Sequence, residues 1–385
     1  MIIGIDATNL RIGGGITHLV ELLHAAQPAN HSIDHIVVWG GKPILKALED
    51  QPWLIKRNPL ALDKGLLRRT LWQRYRLSQA AYDEGCDVLF VPGGSYAGYF
   101  HPVVTMSQNL LPFEFRELLR YGWSLFTLKF LLLRVTQTHS FRQSDGVIFL
   151  TKYARDVVLK VTDQLSCQTC IIPHGQSPRF RKHPKLQRDI AEYSDAHPYR
   201  ILYVSCIDQY KHQWHVVEAV AALRQRGLPI VLDLVGPAYP PALQRLNETI
   251  DRLDAERRWV HYHGAIPFND LHLFYAEADL GVFASSCENM PNILLETIAS
   301  GLPIACSNRG PMPEVLGEAG VYFDPEDPSL IARAMFELIK SSQLRTELAQ
   351  VSHQISMKFS WQFCADMTFV FLSECAQQYK TSCQC

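Results

Sequence analysis

Two glutamates, eight residues apart, flank the start of an apolar helical segment in the second half of the chain. Glu288 lies in a loop that follows an apolar strand, and Glu296 lies inside the predicted helix. Pro291 suits the first turn of a helix, where its missing N–H costs nothing, and Gly301 suits the position just past the last turn. The helix is therefore predicted to begin beside Glu288 and to carry Glu296 about one and a half turns inside.

The start of such a helix can bind an anion, because its first backbone N–H groups have no acceptor within the helix and lie at its positive end. Those groups belong to Asn292, Ile293 and Leu294. A phosphate would accept hydrogen bonds from them, and a nearby carboxylate would accept hydrogen bonds from ribose hydroxyls. The segment predicts a nucleotide site. The alternative is a solvated loop glutamate followed by an ordinary surface glutamate.

Two further stretches could contact a ligand. Gly13, Gly14 and Gly15 follow the first predicted strand and open a helix, and glycines allow a ligand to approach the backbone closely. The loop does not fit the dinucleotide-binding fingerprint, since His18 occupies the third glycine position, and it is also compatible with a plain flexible turn. Gln108 and Asn109 end another strand; their amides orient hydroxyls but cannot take up a proton.

Apolar strands alternate with helical segments throughout the chain. The predicted strands are 2–5, 36–39, 88–91, 103–106 and 147–150 in the first half, and 201–204, 230–235, 260–263, 280–283, 303–307 and 321–323 in the second. Strands that are apolar throughout and separated by helices indicate parallel sheets covered on both faces. We therefore predict an α/β protein with two Rossmann-like, doubly wound domains facing a cleft, with ligands outside the carboxyl ends of the strands.

The domain boundary is predicted near residues 171–178, where prolines and a glycine interrupt both the helical and the strand patterns of hydrophobic residues. We place an N-terminal domain at 1–174, a C-terminal domain at 175–357 and a last helical segment at 358–385.

Composition narrows the function. The chain has 385 residues, a formal net charge of −1 and a hydrophobic fraction of 47%, which are values of a globular protein. A pI near 6.9, with no recognisable module, argues against nucleic-acid binding. The ten cysteines are scattered, and Cys167-x-x-Cys170 has no second pair at ligand spacing, so no metal site is predicted. With no secretory signal or transmembrane segment visible, we expect a cytoplasmic protein.

Charge is unevenly distributed along the chain. Residues 1–180 contain 19 basic and 14 acidic residues, and the remainder contains 18 basic and 24 acidic residues. Basic residues mix with apolar ones at 68–76 and 116–134. Such mixtures suit peripheral contact with an anionic membrane through the N-terminal domain, and they are equally compatible with the outer face of an ordinary domain.

The segment 288–303 resembles glycosyltransferase family 4, a family of retaining GT-B glycosyltransferases with a Glu-x7-Glu motif. The resemblance extends to the glycine loop, the Ile-Pro-His-Gly stretch at 172–175, the segment 307–320 and the tail near Trp361. It implies transfer of a sugar from a nucleotide-diphosphate-sugar donor, with retained configuration and without a metal or other cofactor. A glycan or lipid-linked acceptor, in surface polysaccharide synthesis, would bind mainly to the N-terminal domain. The resemblance also implies that the last helix, within 358–385, crosses back onto the N-terminal domain.

The resemblance also implies roles for residues of the C-terminal domain. Glu296 would bind the donor ribose, and Glu288 would hold the transferred sugar and support its developing positive charge. Lys211 matches the family's diphosphate-binding lysine, so Lys211 and Glu288 are the predicted catalytic residues. The remaining predicted donor contacts are Asn292, Ile293, Leu294, Gly14 and Gly15.

The sequence departs from the family at two positions. Cys206 stands where many members have an arginine, and His212, Arg309 or a residue of the N-terminal domain would have to compensate. Near the acceptor, Gln108 and Asn109 stand in a region where many members carry a histidine, and they are the predicted acceptor-side candidates. His174 is predicted to be a hinge residue. Two alternatives stay open. One is a sugar-nucleotide epimerase with the same fold, against which the Glu-x7-Glu segment argues, and the other is a catalytically inactive sugar-nucleotide-binding subunit, which these departures make conceivable.

Overall fold

A computed structural model describes residues 1–11 and 13–382. Within this range the chain forms two compact units. Unit 1 contains Met1–Leu118, Gly122–Gly175 and the chain from Ser360 onward. Unit 2 contains Leu119–Tyr121 and Gln176–Phe359.

Unit 1 is built on a seven-stranded parallel sheet with the order β3-β2-β1-β4-β5-β6-β7. Its strands are β1 (Ile2–Asp6), β2 (His35–Trp39), β3 (Leu54–Arg57), β4 (Val88–Val91), β5 (Val103–Met106), β6 (Gly146–Phe149) and β7 (Gln168–Ile171). The central strands β4, β5 and β6 are buried at every residue, because helices cover both faces of the sheet.

Unit 2 is built on a six-stranded parallel sheet with the order β10-β9-β8-β11-β12-β13. Its strands are β8 (Tyr199–Val204), β9 (Ile230–Val235), β10 (Val260–Tyr262), β11 (Leu280–Phe283), β12 (Ile304–Ser307) and β13 (Gly320–Phe323). All six were predicted from their apolar runs.

Fifteen α-helices connect and cover the strands in the described residues: α1 (Gly14–His24), α2 (Lys42–Ala47), α3 (Leu66–Trp72), α4 (Ser78–Asp83), α5 (Phe115–Leu118), α6 (Leu125–Gln143), α7 (Lys152–Thr162), α8 (Gln213–Gln225), α9 (Pro240–Leu253), α10 (Leu271–Glu277), α11 (Asn292–Ala299), α12 (Met312–Leu316), α13 (Pro328–Ile339), α14 (Ser342–Ser356) and α15 (Trp361–Ser382). A π-helical turn, Gln73–Leu77, joins α3 to α4. The prediction of two doubly wound α/β sheets is confirmed.

The C-terminal helix α15 belongs to unit 1 and packs against α1 and β4. Its start is tightly packed: a Cβ added to Gly175 would collide with the backbone of Trp361. Beside it, the rings of His18 and His174 stack with their centroids 4.8 Å apart. The last helix thus returns to the first unit, as the resemblance implied.

No helix among the described residues is both long enough and apolar enough to cross a bilayer.

Candidate active site

The candidate site lies in unit 2, where the strand order reverses. The chain runs outward from β8 to β9 and β10, then returns to the other side of β8 with β11. β8 and β11 are hydrogen-bonded neighbours, with Leu280 opposite Ile201 and Gly281 opposite Leu202. The loops after these two strands therefore lie side by side at the carboxyl edge of the sheet, which is the usual place for ligands in such folds.

Lys211, in the loop after β8, and Glu288, in the loop after β11, form an ion pair between Nζ and Oε1. Lys211 is only 7% exposed and Glu288 is half-buried. The Tyr203 hydroxyl donates to the Lys211 carbonyl at 2.8 Å, and Lys211 Nζ lies 5.0 Å from the Tyr210 ring centroid. The lysine is thus a held, largely desolvated cation rather than a solvated one.

Hydrogen bonds join these two loops. The Ser286 N–H donates to the Tyr210 carbonyl at 2.8 Å, and Ser286 Oγ lies 3.0 Å from His212 Nε2. The positions of Lys211 and Glu288 therefore depend on contacts made by their neighbours in both loops.

Helix α11 begins next to this pair. Pro291 is its N-cap, and the first intrahelical bond runs from the Leu295 N–H to the Pro291 carbonyl at 3.2 Å. The N–H groups of Asn292, Ile293 and Leu294 precede that bond and lie at the N-terminal end of the helix. At the other end Gly301 has φ +70°, a left-handed conformation that favours glycine and terminates the helix.

Glu296 is half-buried on the fifth residue of α11. The Tyr275 hydroxyl donates to its Oε2 at 3.2 Å. Burial raises the pKa of Glu296 to about 8, and the hydrogen bond from Tyr275 opposes that rise. The carboxyl is therefore poised between its neutral and ionised forms near physiological pH, as expected of a group that ligand hydroxyls would stabilise when ionised.

The structure distinguishes between two candidates, His212 and Arg309, for the cation that replaces the arginine absent at Cys206. Burial, with the nearby positive charges of Arg120 and Arg245, lowers the pKa of His212 to about 2, so this ring is neutral and cannot compensate. Arg309 forms an ion pair with Asp324 at 2.7 Å. It lies in the loop after β12, and a Cβ on the adjacent Gly310 would come within 3.9 Å of the Glu288 nitrogen.

The other predicted residues lie in unit 1. Gly14 and Gly15 are the first residues of α1, and the preceding Gly13 has φ +76°. A Cβ on Gly15 would lie 2.8 Å from Gln108 Oε1, so the glycine loop and the end of β5 are close together. Asn109 Oδ1 accepts from the Leu111 N–H at 3.1 Å, which occupies this side chain in shaping its own loop.

The structure thus brings together Lys211, Glu288 and the start of α11 in unit 2, and Gly15 with Gln108 in unit 1. Sequence reasoning missed Tyr275, whose hydroxyl contacts Glu296 from helix α10. No local signal could have identified it, because this tyrosine sits in an ordinary helical segment 21 residues before its partner.

Comparison with known proteins gives matches to glycosyltransferases. Residues 198–341 match the family described as Glycosyl transferases group 1. The O-antigen chain mannosyltransferase B of Escherichia coli is 28% identical over 226 residues, which cover 58% of this chain and 56% of that protein. A D-inositol 3-phosphate glycosyltransferase of Corynebacterium jeikeium is 25% identical over 244 residues, which cover 60% of this chain and 58% of that protein. The chain thus spans little more than half the length of these relatives.

Solved structures resemble the chain over nearly all of its length. Sucrose-phosphate synthase from Thermosynechococcus elongatus has a TM-score of 0.75 at 16% identity, covering 99% of this chain and 100% of that one. The Anabaena protein Alr3699/HepE, solved with UDP and glucose, has a TM-score of 0.71 at 17% identity, covering 97% and 99%. Together, the match and the fold confirm the predicted resemblance: residues 198–341 match the family model of the group 1 glycosyl transferases, and the chain has the GT-B fold.

Proposed function

We propose that this protein is a retaining glycosyltransferase that moves a sugar from a nucleotide-diphosphate-sugar donor to a glycan or lipid-linked acceptor. The observation that carries the proposal is the buried Lys211–Glu288 ion pair beside the start of α11, at the switch point of the unit 2 sheet. A cation, a row of backbone donors and two carboxyl groups are the chemistry that a sugar diphosphate requires.

Each group has a distinct part in the proposed reaction. Lys211 keeps further N–H donors beyond its bond to Glu288, and these would bind the diphosphate together with the N–H groups of Asn292, Ile293 and Leu294. Glu288 would accept hydrogen bonds from the sugar and stabilise positive charge at the anomeric carbon. Glu296 would accept hydrogen bonds from the ribose.

In the chemical step, the bond from the anomeric carbon to the diphosphate oxygen breaks, and its electron pair leaves with the nucleoside diphosphate. The acceptor hydroxyl oxygen forms the new bond on the same face of the sugar. The hydroxyl proton passes to the leaving phosphate oxygen. Lys211 would stabilise the charge that develops on that phosphate, so the proposed mechanism needs no metal ion.

The relatives and a solved structure support the proposed classes of acceptor and donor. One is an O-antigen chain mannosyltransferase, and the Anabaena structure holds UDP and glucose. We therefore place this protein in surface polysaccharide synthesis with a nucleotide-sugar donor. A cytoplasmic location fits the eight described cysteines, all of which are free thiols.

Helix α6 supports the proposed contact with an anionic membrane. Its residues Leu125, Leu128, Leu132 and Val135 are exposed at helical spacing, whereas its buried residues are three polar ones and two phenylalanines: Thr127, Gln137, Ser140, Phe130 and Phe141. No acidic residue occurs between positions 118 and 144. An apolar stripe in a basic segment suits anionic lipid headgroups.

Some arginines of the predicted basic segments 68–76 and 116–134 make contacts within the protein and are therefore not assigned to the membrane-contacting surface. Arg69 donates to the Thr8 carbonyl at 3.0 Å, Arg74 to the Ala97 carbonyl at 2.8 Å, and Arg120 pairs with Glu326. These arginines hold loops instead. Sedimentation with phosphatidylglycerol vesicles, compared with phosphatidylcholine vesicles, tests the membrane contact; binding that is unaffected by Leu128→Ser with Leu132→Ser would contradict it.

The experiment that tests the proposed function begins with thermal shifts against UDP-, GDP-, ADP- and dTDP-sugars, since a ligand of the native state raises its melting temperature. The stabilising donor is then supplied in labelled form, with excess chelator, and its products are separated. Transfer or release of the sugar supports the proposal. An epimerised donor would indicate an epimerase, and binding without turnover would indicate an inactive subunit.

A further inference from the structure

Unit 1 contains an open pocket that the proposed donor site does not use. Its volume is about 530 Å³, and it lies beside the carboxyl ends of β2 and β3. It is lined by Trp39, Arg57, Asn58, Pro59, Trp72, Arg76, Gln79, Ala80 and Asp83. This volume is that of a small-molecule site.

The lining combines aromatic rings with planar polar groups. Trp39, 2% exposed, forms the base of the pocket, and the half-buried Trp72 contributes part of a second indole ring. The apolar C–H face of a pyranose packs against such rings, while its hydroxyls need donors and acceptors at the rim. Guanidinium and amide side chains present paired groups that match neighbouring hydroxyls.

Several rim groups keep capacity for a ligand. Arg76 is exposed and makes no hydrogen bond or ion pair with any described residue. Asn58 uses its Nδ2 to donate to the Gly40 carbonyl at 2.9 Å, which leaves its side-chain oxygen as an acceptor. Gln79 Nε2 donates to Asp83 at 2.8 Å, which orients both side chains at the rim.

The wall of the pocket has an unusual backbone. Arg76 belongs to the π-helical turn Gln73–Leu77 between α3 and α4, and such turns occur frequently at functional sites. On the opposite side of this turn, the buried Gln73 donates to Asp6 at the end of β1 and, at 2.9 Å, to the Ser95 carbonyl. The turn is therefore anchored to the sheet while it presents Arg76 to solvent.

We propose that this pocket is a carbohydrate subsite that binds one sugar of an oligosaccharide, with Trp72 as the stacking surface and Arg76 as a hydrogen-bond donor to its hydroxyls. The identification of that oligosaccharide with the growing acceptor glycan rests on the proposed function. The charge of the lining favours a sugar over a phosphate, because Arg57 is already paired with Glu84 at 2.6 Å and Asp83 adds a negative charge.

The test is calorimetric titration of the full chain with α-mannotetraose, maltotetraose and xylotetraose, and with inorganic phosphate. At least one tetrasaccharide is expected to bind, and Arg76→Ala and Trp72→Ala should each weaken that binding by about tenfold or more. Trp72→Phe keeps an aromatic ring where truncation would disturb folding, and it should retain most of the affinity.

Arg68→Ala is the matched control, because Arg68 is exposed on α3 and lies outside the pocket. The proposal is overturned if no tetrasaccharide binds up to about 10 mM, if the Arg76 and Trp72 variants bind like the wild type, or if only phosphate binds. Thermal shifts with nucleotide sugars are measured on the same variants. If no nucleotide sugar raised the melting temperature of the wild type, the proposed donor site would be rejected, whatever the result for this pocket.

Discussion

The predicted residues of the two units differ in how they are held. In unit 2, Lys211 and Glu288 are 77 positions apart in sequence, yet they form a buried ion pair because adjacent strands deliver them to one edge of the sheet. In unit 1, Gln108 and Asn109 are engaged mainly with their own loop, through Met106 and Leu111. The unit 2 residues are an ion pair beside the start of a helix, whereas the unit 1 residues are neutral amide side chains in a loop.

This difference has a physical consequence. A desolvated cation beside backbone donors is costly to rearrange, so it suits the diphosphate that every donor shares. Exposed or half-buried amides in loops adapt at little cost, so they suit an acceptor whose structure varies between enzymes. Substitutions in unit 2 should therefore change turnover and donor affinity, and substitutions in unit 1 should change the use of the acceptor.

The largest effect is expected for Lys211→Ala. It removes the cation and leaves Glu288 half-buried without its partner, so kcat should fall by about 100- to 1,000-fold. Steady-state assays with saturating donor measure it. Lys358→Ala, an exposed lysine of unit 2, is the control. Wild-type rates in the Lys211 variant would remove this lysine from the site.

Glu296→Gln should have the next largest effect, weakening donor binding by about tenfold or more because the ribose loses a charged acceptor. Since burial raises the pKa of Glu296 to about 8, donor affinity in the wild type should increase as pH rises toward 8 and level off above it. Calorimetry from about pH 6 to pH 9 measures both effects. A variant with the same pH dependence as the wild type would show that another group titrates.

The same carboxyl affects stability. The folded state holds the Glu296 proton up to about pH 8, whereas the unfolded chain loses it near 4.5, so the free energy of unfolding should decrease between these values as pH rises. Denaturant titrations at pH 5 and pH 8 should show a smaller decrease in Glu296→Gln than in the wild type. An equal decrease in both proteins would contradict the assignment.

Gln108→Ala should raise the KM for the acceptor by less than about tenfold, because a neutral hydrogen bond contributes about 1 kcal/mol. The dissociation constant of the donor should stay unchanged. If the dissociation constant of the donor increased and the KM for the acceptor did not, the proposal that unit 1 binds the acceptor and unit 2 binds the donor would be contradicted.

Tyr275→Phe should have the smallest effect. Losing the hydroxyl 3.2 Å from Glu296 removes a bond that favours the ionised carboxyl, so the pKa of Glu296 should rise further and donor affinity near pH 7 should fall about threefold to tenfold. The difference from the wild type should shrink above pH 9. A constant difference at all pH values would indicate a purely structural role.

Sequence patterns predicted the five inner strands of the unit 1 sheet but neither of its two edge strands, β3 and β7. β3 carries Lys56 and Arg57 and β7 carries Gln168 and Thr169, because an edge strand is only half covered and tolerates polar residues. The apolar runs that identify buried parallel strands are absent there. An edge strand forms because it pairs with a strand that is distant in sequence, and the hydrophobic periodicity of a segment carries no information about such pairing.

The strand-loop-helix geometry around Glu288 and Glu296 could be predicted because local rules determine it. Pro291 and Gly301 define the ends of α11, and the strand-loop-helix order places Glu288 beside its start. The raised pKa of Glu296 and its contact with Tyr275 could not be predicted, because both depend on how α10 packs over α11. The sequence alone does not exclude His212 as the missing cation, because the neutral state of its ring follows from its burial and from arginines that the fold brings near it.

The most direct test is a crystal structure with the nucleotide sugar that gives the largest thermal shift. We expect the diphosphate within hydrogen-bond distance of Lys211 Nζ and of the first N–H groups of α11, with the ribose hydroxyls donating to Glu296. A fully occupied nucleotide bound elsewhere in the chain, with no contact to Lys211, Glu288 or the start of α11, would contradict the account.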